Sequence, residues 1–103
     1  MVARGEVWWG ESPDEKGRPF LVVSRDAANE VMQRVLVAPV TTRVRRVPSE
    51  LPLGIAEGLP RECVASFDNL RPMAKSLLVR RLGNLDPGRL GELCEVVAAT
   101  LDC

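Results

Sequence analysis

The stretch Gly-Arg-Pro-Phe-Leu-Val-Val-Ser at residues 17–24 says most about how this chain folds. It runs from a turn residue into a short apolar, β-branched segment, which is typical of a buried strand. A second segment of this kind, Leu-Val-Ala-Pro-Val-Thr-Thr, occupies residues 36–42. The two segments predict two buried strands with polar residues at their ends.

Polar side chains flank both of these strands. Arg18 precedes Pro19, and a residue before proline is restricted to extended geometry, so the chain itself sets the direction of the arginine. Thr41 and Thr42 end the second strand. Because a guanidinium presents planar, bidentate donors, an arginine close to two hydroxyls would suit a phosphate. On these residues alone, the ordinary alternative of a loop arginine and two strand-end threonines is favoured.

The rest of the chain alternates short strands with turns and ends in one helix. The second segment belongs to a strand at residues 34–42, and further strands are predicted at about 6–11, 62–67 and 77–82, with short extended pieces at 44–47 and 50–53. Asp86 and Pro87 begin a helix whose apolar residues recur at helical spacing: Leu90, Leu93, Cys94, Val97 and Leu101. This order predicts a mainly β (α+β) fold, a small, strongly curved antiparallel sheet or barrel with a C-terminal helix.

Length and composition indicate a single domain over residues 1–103. Hydrophobic residues make up 46% of the chain and aromatic residues 4%, which suits one modest core. No apolar run approaches the ~20 residues of a membrane span and no signal peptide is recognisable, so we expect a cytoplasmic protein without membrane contact. Cys63, Cys94 and Cys103 are widely spaced and the chain has no histidine, so we expect reduced thiols, no metal site and no cofactor.

Charge is balanced in number but uneven along the sequence. The chain has 14 basic and 14 acidic residues. Arginines crowd residues 43–46 and basic residues crowd 71–81, whereas we expect the acids to lie elsewhere, in an early loop and along the last helix. This distribution predicts a basic face that binds RNA at a few phosphates.

Five motifs, in order, resemble the MazF/PemK family of bacterial toxin endoribonucleases. They are Arg-Gly-Glu-Val-Trp-Trp at residues 4–9, the two segments quoted above, Ser-Phe-Asp-Asn-Leu-Arg at 66–71 and Leu-Gly-Asn-Leu at 82–85. The likeness covers nearly the whole chain. It implies an SH3-like barrel of the CcdB/Kid/MazF type that forms a symmetric homodimer with RNA across the interface.

The same resemblance implies the toxin of a type II toxin–antitoxin system. Such a toxin is a sequence-selective, metal-independent endoribonuclease that cleaves single-stranded RNA (mRNA, tRNA or rRNA) and so inhibits translation and growth. Attack by the 2′-hydroxyl would leave a 2′,3′-cyclic phosphate and a 5′-hydroxyl. The partners would be the RNA substrate and a cognate antitoxin whose C-terminal segment occupies the RNA groove.

The chain lacks the usual proton-transfer groups of a ribonuclease. Without histidine or clustered carboxylates, an arginine, a hydroxyl or an isolated carboxylate must act, chiefly through electrostatic stabilisation. The resemblance assigns catalytic roles to Arg18 and Thr41. Asp68 matches an acidic position that some members use as a base, but an aspartate making a turn with Asn69 is an equal alternative. Ser66 stands where the plasmid-borne branch has an arginine, which disfavours the acid–base pair of that branch.

The other candidates are residues for RNA contact: Thr42, Arg43, Asn69 and Trp8. Asn69 could read a base edge, whereas Arg43 would steer phosphates. By strand alternation Trp9 shares a face with Val7, so we expect Trp9 in the core. Trp8 faces the other way, where it could stack on a base, fill the dimer interface or pack against a neighbouring strand.

Two other functions are alternatives. A non-catalytic, CcdB-type gyrase poison would share the barrel, but such toxins act through a C-terminal tip with a tryptophan, and this chain ends Thr-Leu-Asp-Cys. A peptide-binding SH3-like adaptor needs an aromatic-lined groove, for which two tryptophans, two phenylalanines and no tyrosine are too few. Residues 12–17 form a shorter loop than the family's glycine-rich loop before Arg-Pro, so the RNA preference of relatives cannot be carried over.

Overall fold

A curved antiparallel sheet with a C-terminal helix makes up the computed structural model, which describes residues 2–102. Its elements are β1 (Glu6–Ser12), β2 (Glu15–Val22), α1 (Asp26–Val31), β3 (Arg34–Thr41), β4 (Glu50–Leu53), β5 (Cys63–Ser66), β6 (Arg71–Ala74), β7 (Leu78–Asn84) and α2 (Leu90–Thr100). The strand order is β4-β5-β3-β2-β1-β7, and β6 pairs with β3 beside this path. Because β3 pairs with β6 through residues 34–37 and with β5 through residues 40 and 41, the sheet divides at β3 and curls. The predicted mainly β fold is confirmed.

The central strands are apolar on both faces because the protein has two core clusters. In β2 and just beyond it, Leu21 and Val23 pack in a first cluster that includes Leu93 of α2. The alternate residues, Phe20 and Val22, pack in a second cluster on the other face. A strand buried on both faces reads as a continuous apolar run, which is the pattern of residues 20–23. The packing of residues 20–23 on both faces fixes the position of β2, and with it the position of the residues that precede Phe20 in this strand.

Helix α2 covers the first cluster, but with a different stripe from the one predicted. Leu93 and Val96 are buried, and Leu90 and Val97 pack against the cluster from its edge. Cys94 is exposed and Leu101 is 67% exposed, so their placement in the stripe was wrong. The predicted start at Asp86 and Pro87 begins a 3₁₀ turn, Pro87–Arg89, in which the Asp86 side chain accepts a hydrogen bond from the N–H of Gly88, and α2 follows directly at Leu90.

Three local predictions differ from the structure. Strand β2 begins at Glu15, not at Pro19, because pairing with β1 continues down to a turn at residues 13 and 14. Strand β6 was missed, since Pro72 within a short polar segment argues against a strand, yet Pro72 pairs with Leu36 of β3. The sequence also predicts a helical turn capped by Asp26, whereas Asp26 lies in the first turn of α1 and accepts a hydrogen bond from the N–H of Arg4 at 2.6 Å.

The two cysteines within the described residues are free thiols in different settings. Cys63 is buried in the first cluster, and burial raises the pKa of its thiol, with Glu57 adding to the rise. Cys94 is exposed on α2. Cys103 lies outside the described residues.

Candidate active site

Three clefts adjoin around Arg18. The central cleft has a volume of about 150 Å³ and is lined by Arg18, Pro39, Thr41, Arg43, Arg45, Glu50, Ser66, Asp68 and Asn69. The arginine cleft, of about 570 Å³, is lined by Glu15, Lys16, Arg18, Pro39, Asn69 and Arg71. The tryptophan cleft, of about 610 Å³, meets the central cleft at Thr41 and continues past Trp9, Thr42 and Arg80. Shared wall residues make the three clefts one continuous depression.

The central cleft brings together most of the residues predicted from the sequence. Five of them line it: Arg18, Thr41, Arg43, Asp68 and Asn69. Thr42 lines the neighbouring tryptophan cleft. Trp8 lines none of the three clefts. The three candidates for catalysis thus share one small cleft although they are far apart in the sequence.

Arg18 lies within a strand whose backbone is paired with its neighbour. It pairs with Gly10 of β1 inside β2, so the expectation that it marks a strand entrance was wrong. Its side chain is exposed, and within residues 2–102 its guanidinium makes no hydrogen bond or ion pair. A fixed backbone with an unoccupied fork of N–H donors is suited to binding an anion.

Thr41 ends β3 and shapes the segment that follows it. Its Oγ1 accepts a hydrogen bond from the backbone N–H of Arg43 at 3.1 Å, a local turn that Ser and Thr commonly make. The hydroxyl therefore retains its own hydrogen to donate. Thr41 also pairs with Val64 of β5, which fixes its position beside Arg18 across the central cleft.

Asp68 and Asn69 lie on a 3₁₀ turn, Phe67–Asn69, between β5 and β6. The hydroxyl of Ser49 donates to Oδ2 of Asp68 at 2.7 Å, and the side-chain amide of Asn69 donates to Oγ of Ser66 at 3.0 Å. The two residues thus share a turn, as the alternative interpretation of Asp68 had it, and their side chains bond to Ser49 and Ser66. Asp68 is exposed and keeps one carboxylate oxygen without a hydrogen-bond partner among the described residues.

Glu50 lines the central cleft, and sequence reasoning missed it. Its Oε1 accepts hydrogen bonds from the backbone N–H groups of Arg45 and Arg46 at 3.0 and 2.9 Å. Arg46 has φ = 59°, a left-handed conformation that costs free energy for a residue with a side chain. The carboxylate therefore holds the arginine-rich segment in shape. No local motif signals this role, since Glu50 follows its two donors by four and five residues.

We expect Glu50→Ala to loosen the arginine-rich segment. Loss of two charge-assisted hydrogen bonds should lower the free energy of unfolding by about 2 kcal/mol. The amides of Arg45 and Arg46 should then exchange with solvent faster, as measured by NMR. Glu50→Gln keeps an acceptor oxygen and is the control. Unchanged exchange at both amides in Glu50→Ala would contradict this role.

The arginine cleft contains an acid among its basic residues. Arg71 donates from Nη1 and Nη2 to the two carboxylate oxygens of Glu15 at 3.1 and 2.8 Å. This hydrogen bonding and the charge of Arg71 hold the pKa of Glu15 below its usual value, and the charge of Arg18 adds to the effect. Glu6 likewise pairs with Arg81 at 3.0 Å. The expectation that the acids lie away from the basic residues was therefore wrong for Glu6, Glu15 and Glu50.

Trp9 has different surroundings from those expected, whereas Trp8 is partly buried against neighbouring strands, one of its three alternatives. Trp9 is only half-buried, because the first cluster ends beneath the tryptophan cleft and leaves the ring on the cleft wall. Its ring covers Gly17, where an added Cβ would lie 2.7 Å from the indole. Trp8 packs at the edge of the second cluster and donates its indole N–H to Glu6 at 3.0 Å. Trp9, not Trp8, therefore borders the depression around Arg18.

The polar groups that line the clefts are guanidinium, ammonium, hydroxyl, carboxylate, amide, indole and the thiol of Cys63, and apolar side chains complete the tryptophan cleft. Among residues 2–102, no three His, Cys, Asp or Glu side chains lie close enough together to hold a metal ion. No helix in the described part of the chain is long and apolar enough to cross a membrane.

Comparison with known proteins identifies the family of this chain. Residues 3–101 match the family described as PemK-like, MazF-like toxin of type II toxin–antitoxin system. The chain belongs to this family. The resemblance derived from the five sequence motifs is therefore confirmed.

Individual MazF/PemK members match along their whole length. The probable endoribonuclease MazF5 of Mycobacterium tuberculosis is 39% identical over 104 residues, covering 100% of this chain and 95% of the relative. The solved structure of the M. tuberculosis toxin MazF-mt6 matches with a TM-score of 0.86 and 29% identity, covering 94% of this chain and 96% of that one. An endoribonuclease in complex with its cognate antitoxin, from a mycobacterial species, also gives a TM-score of 0.86, at 26% identity and with coverage of 98% and 95%. The half-barrel with its C-terminal helix is thus the fold of MazF toxins.

Proposed function

We propose that this chain is a toxin that cleaves single-stranded RNA as a sequence-selective, metal-independent endoribonuclease. The observation that carries the proposal is the central cleft, where the unpaired guanidinium of Arg18 lies with the hydroxyl of Thr41 and the carboxylate of Asp68. The 39% identical relative named as a probable endoribonuclease supports the same activity. The RNA sequence and the class of RNA, whether mRNA, tRNA or rRNA, are decided by experiment.

RNA cleavage without a metal has three requirements; the cleft residues suit two of them, and solvent water in the open cleft would supply the proton for the third. The phosphorane must be stabilised, the 2′-hydroxyl must lose its proton and the departing 5′-oxygen must gain one. Arg18 is permanently charged, so it stabilises the negative charge that develops on the phosphate. Thr41 donates its hydroxyl hydrogen to a phosphate oxygen, since its own oxygen is engaged by the N–H of Arg43. Asp68 offers its free carboxylate oxygen to the 2′-hydroxyl while Ser49 holds the other.

The remaining predicted residues are proposed to contact RNA to different extents. Arg43 and Asn69 line the central cleft and would contact the phosphate and a base edge. Thr42 lines the tryptophan cleft, where the next nucleotide would lie against Trp9. Trp8 engages Glu6 away from this depression, so the geometry gives its proposed contact no support.

The antitoxin and a second copy of the chain are the proposed partners. The solved mycobacterial endoribonuclease in complex with its cognate antitoxin supports an antitoxin whose C-terminal segment occupies the RNA groove. Exposed apolar side chains, such as Val31 at 78% and Val79 at 53%, provide surface for a homodimer. Since RNA is the proposed substrate, the cytoplasm is the proposed place of action. The gyrase-poison alternative is not favoured, because the matching relative is named as an endoribonuclease.

Mapping RNA ends tests this function directly. Mixed RNA incubated with the purified protein in EDTA should yield new ends with a 2′,3′-cyclic phosphate (or its 3′-phosphate hydrolysis product) and a 5′-hydroxyl. A 2′-deoxy substitution at the mapped cut site should abolish cleavage, because the attacking group is then missing. The Arg18→Ala protein, purified in the same way, excludes a contaminating ribonuclease. Cleavage of the deoxy substrate, or a requirement for Mg²⁺, would show that the proposed mechanism is wrong.

A further inference from the structure

Arg71 is oriented before any ligand arrives. It begins β6, where it pairs with Val37 of β3. Its guanidinium carbon lies 5.1 Å from the centre of the Phe20 ring, and Phe20 is only 1% exposed. A guanidinium stacked on a buried ring loses little further freedom when it binds, so its fork of donors is directed into the arginine cleft in advance.

The Glu15 carboxylate binds the donors of Arg71 with the geometry that a phosphate would use. Both carboxylate oxygens accept from the two terminal nitrogens of Arg71, which is the bidentate arrangement that arginine also forms with phosphate. Glu15 comes just after the turn at residues 13 and 14, so its side chain sits at the tip of the β1–β2 hairpin. The carboxylate stands in the arginine cleft where a second anion would bind.

The ion pair is exposed enough to be exchanged. The side chains are 36% exposed for Arg71 and 50% exposed for Glu15, and such surface pairs contribute little to stability. Lys16, Arg18 and Arg71 line the same cleft with Glu15 as the only acid among its lining residues, so cationic groups outnumber anionic ones three to one. The cleft remains attractive to a further phosphate despite the carboxylate.

The arginine cleft also continues directly from the proposed cleavage site. Arg18, Pro39 and Asn69 line both the arginine cleft and the central cleft. We propose that Arg71 binds a second RNA phosphate, next to the one at Arg18, and that Glu15 occupies this subsite until RNA displaces it. This inference rests on the proposed function and adds to it a subsite and an internal competitor for the substrate.

Binding of an RNA that cannot be cleaved tests the competitor. The probe is a short, mixed-sequence, fully 2′-O-methylated RNA with a fluorescent label, and the affinity is measured by anisotropy at about 50 and about 200 mM salt. We expect Glu15→Gln to raise the affinity about two- to fivefold, since RNA then has no Arg71–Glu15 ion pair to displace. Asp14→Asn is the matched control, because it removes the neighbouring negative charge outside the cleft lining. The gain in affinity from Asp14→Asn should be smaller than that from Glu15→Gln.

Arg71 variants separate competition from a general charge effect. Arg71→Gln should lower the steepness of log affinity against log salt by about 0.7, the value for one phosphate of a single strand. In an Arg71→Gln background, Glu15→Gln should raise the affinity for the probe by no more than Asp14→Asn does. Thermal unfolding of each variant confirms that the fold is retained.

The outcomes distinguish this inference from the proposed function. If the wild-type protein cleaves ordinary RNA and binds the probe, but Glu15→Gln gains no more than Asp14→Asn, the competitor role is wrong while the function stands. An unchanged salt dependence in Arg71→Gln would likewise overturn the subsite and leave a structural ion pair. If the wild-type protein neither cleaves ordinary RNA nor binds the probe, both the inference and the proposed function are wrong.

Discussion

Replacing Arg18 with alanine is expected to lower the rate of RNA cleavage about 100- to 1,000-fold, the cost of removing one donor from a preorganised oxyanion site. Its guanidinium lines the central cleft and makes no hydrogen bond or ion pair with another described side chain, and its backbone is fixed by pairing with Gly10. The side chain is exposed, so the free energy of unfolding should change by no more than about 0.5 kcal/mol. Single-turnover cleavage measured beside thermal unfolding separates the two effects.

Three variants control for this result. Arg25→Ala removes another exposed arginine, which lines none of the three clefts, and should leave the rate unchanged. Arg18→Lys keeps the charge but loses the bidentate fork, so it should recover only part of the activity. Thr41→Ala should cost less than Arg18→Ala because it removes a neutral donor. A fully active Arg18→Ala enzyme would rule out the proposed role of the arginine.

Prediction from the sequence succeeded where neighbouring residues carry the signal. The run at residues 20–23 is apolar throughout because its two faces pack in different clusters, so local composition was enough to predict a buried strand. The start of the C-terminal helical segment was equally local, since Asp86 and Pro87 determine the 3₁₀ turn that leads into α2. The central cleft could be anticipated only through the family resemblance. The resemblance assigned roles to Arg18, Thr41 and Asp68, but it did not give their positions relative to one another.

The features that sequence missed depend on contacts between distant residues. The Glu15 carboxylate meets Arg71 across 56 positions in sequence, and the Ser49 hydroxyl meets Asp68 across 19. Neither pair has a spacing that a helix or a hairpin would indicate. Trp9 was assigned to the core by alternation, which gave the correct side of β1. Alternation cannot show where a cluster ends, and here the first cluster ends before it covers the ring.

Gly58→Ala is expected to lower the free energy of unfolding by about 3 kcal/mol or more, which would be a large part of the stability of a small domain. Gly58 has φ = 90°, a conformation that strains any residue with a side chain. Its N–H donates to the carbonyl of Ile55 at 3.0 Å, so the turn cannot relax without losing this bond. An added Cβ would also overlap the carbonyl oxygen of Leu82 and lie 2.6 Å from the carbonyl carbon. Chemical denaturation measures the loss.

Gly91→Ala is the matched control, because it adds the same methyl group where nothing lies within 4 Å. Gly91 is in α2, so alanine should stabilise the protein by about 0.5 kcal/mol through helix propensity. The opposite signs of the two substitutions follow from backbone conformation and local space, not from the loss of glycine itself. Gly58 also lines the tryptophan cleft with Thr42, so the backbone shift that relieves the overlap should weaken RNA binding even in the molecules that stay folded. Equal stability of the two variants would show that the β7 backbone moves away from residue 58 at little cost.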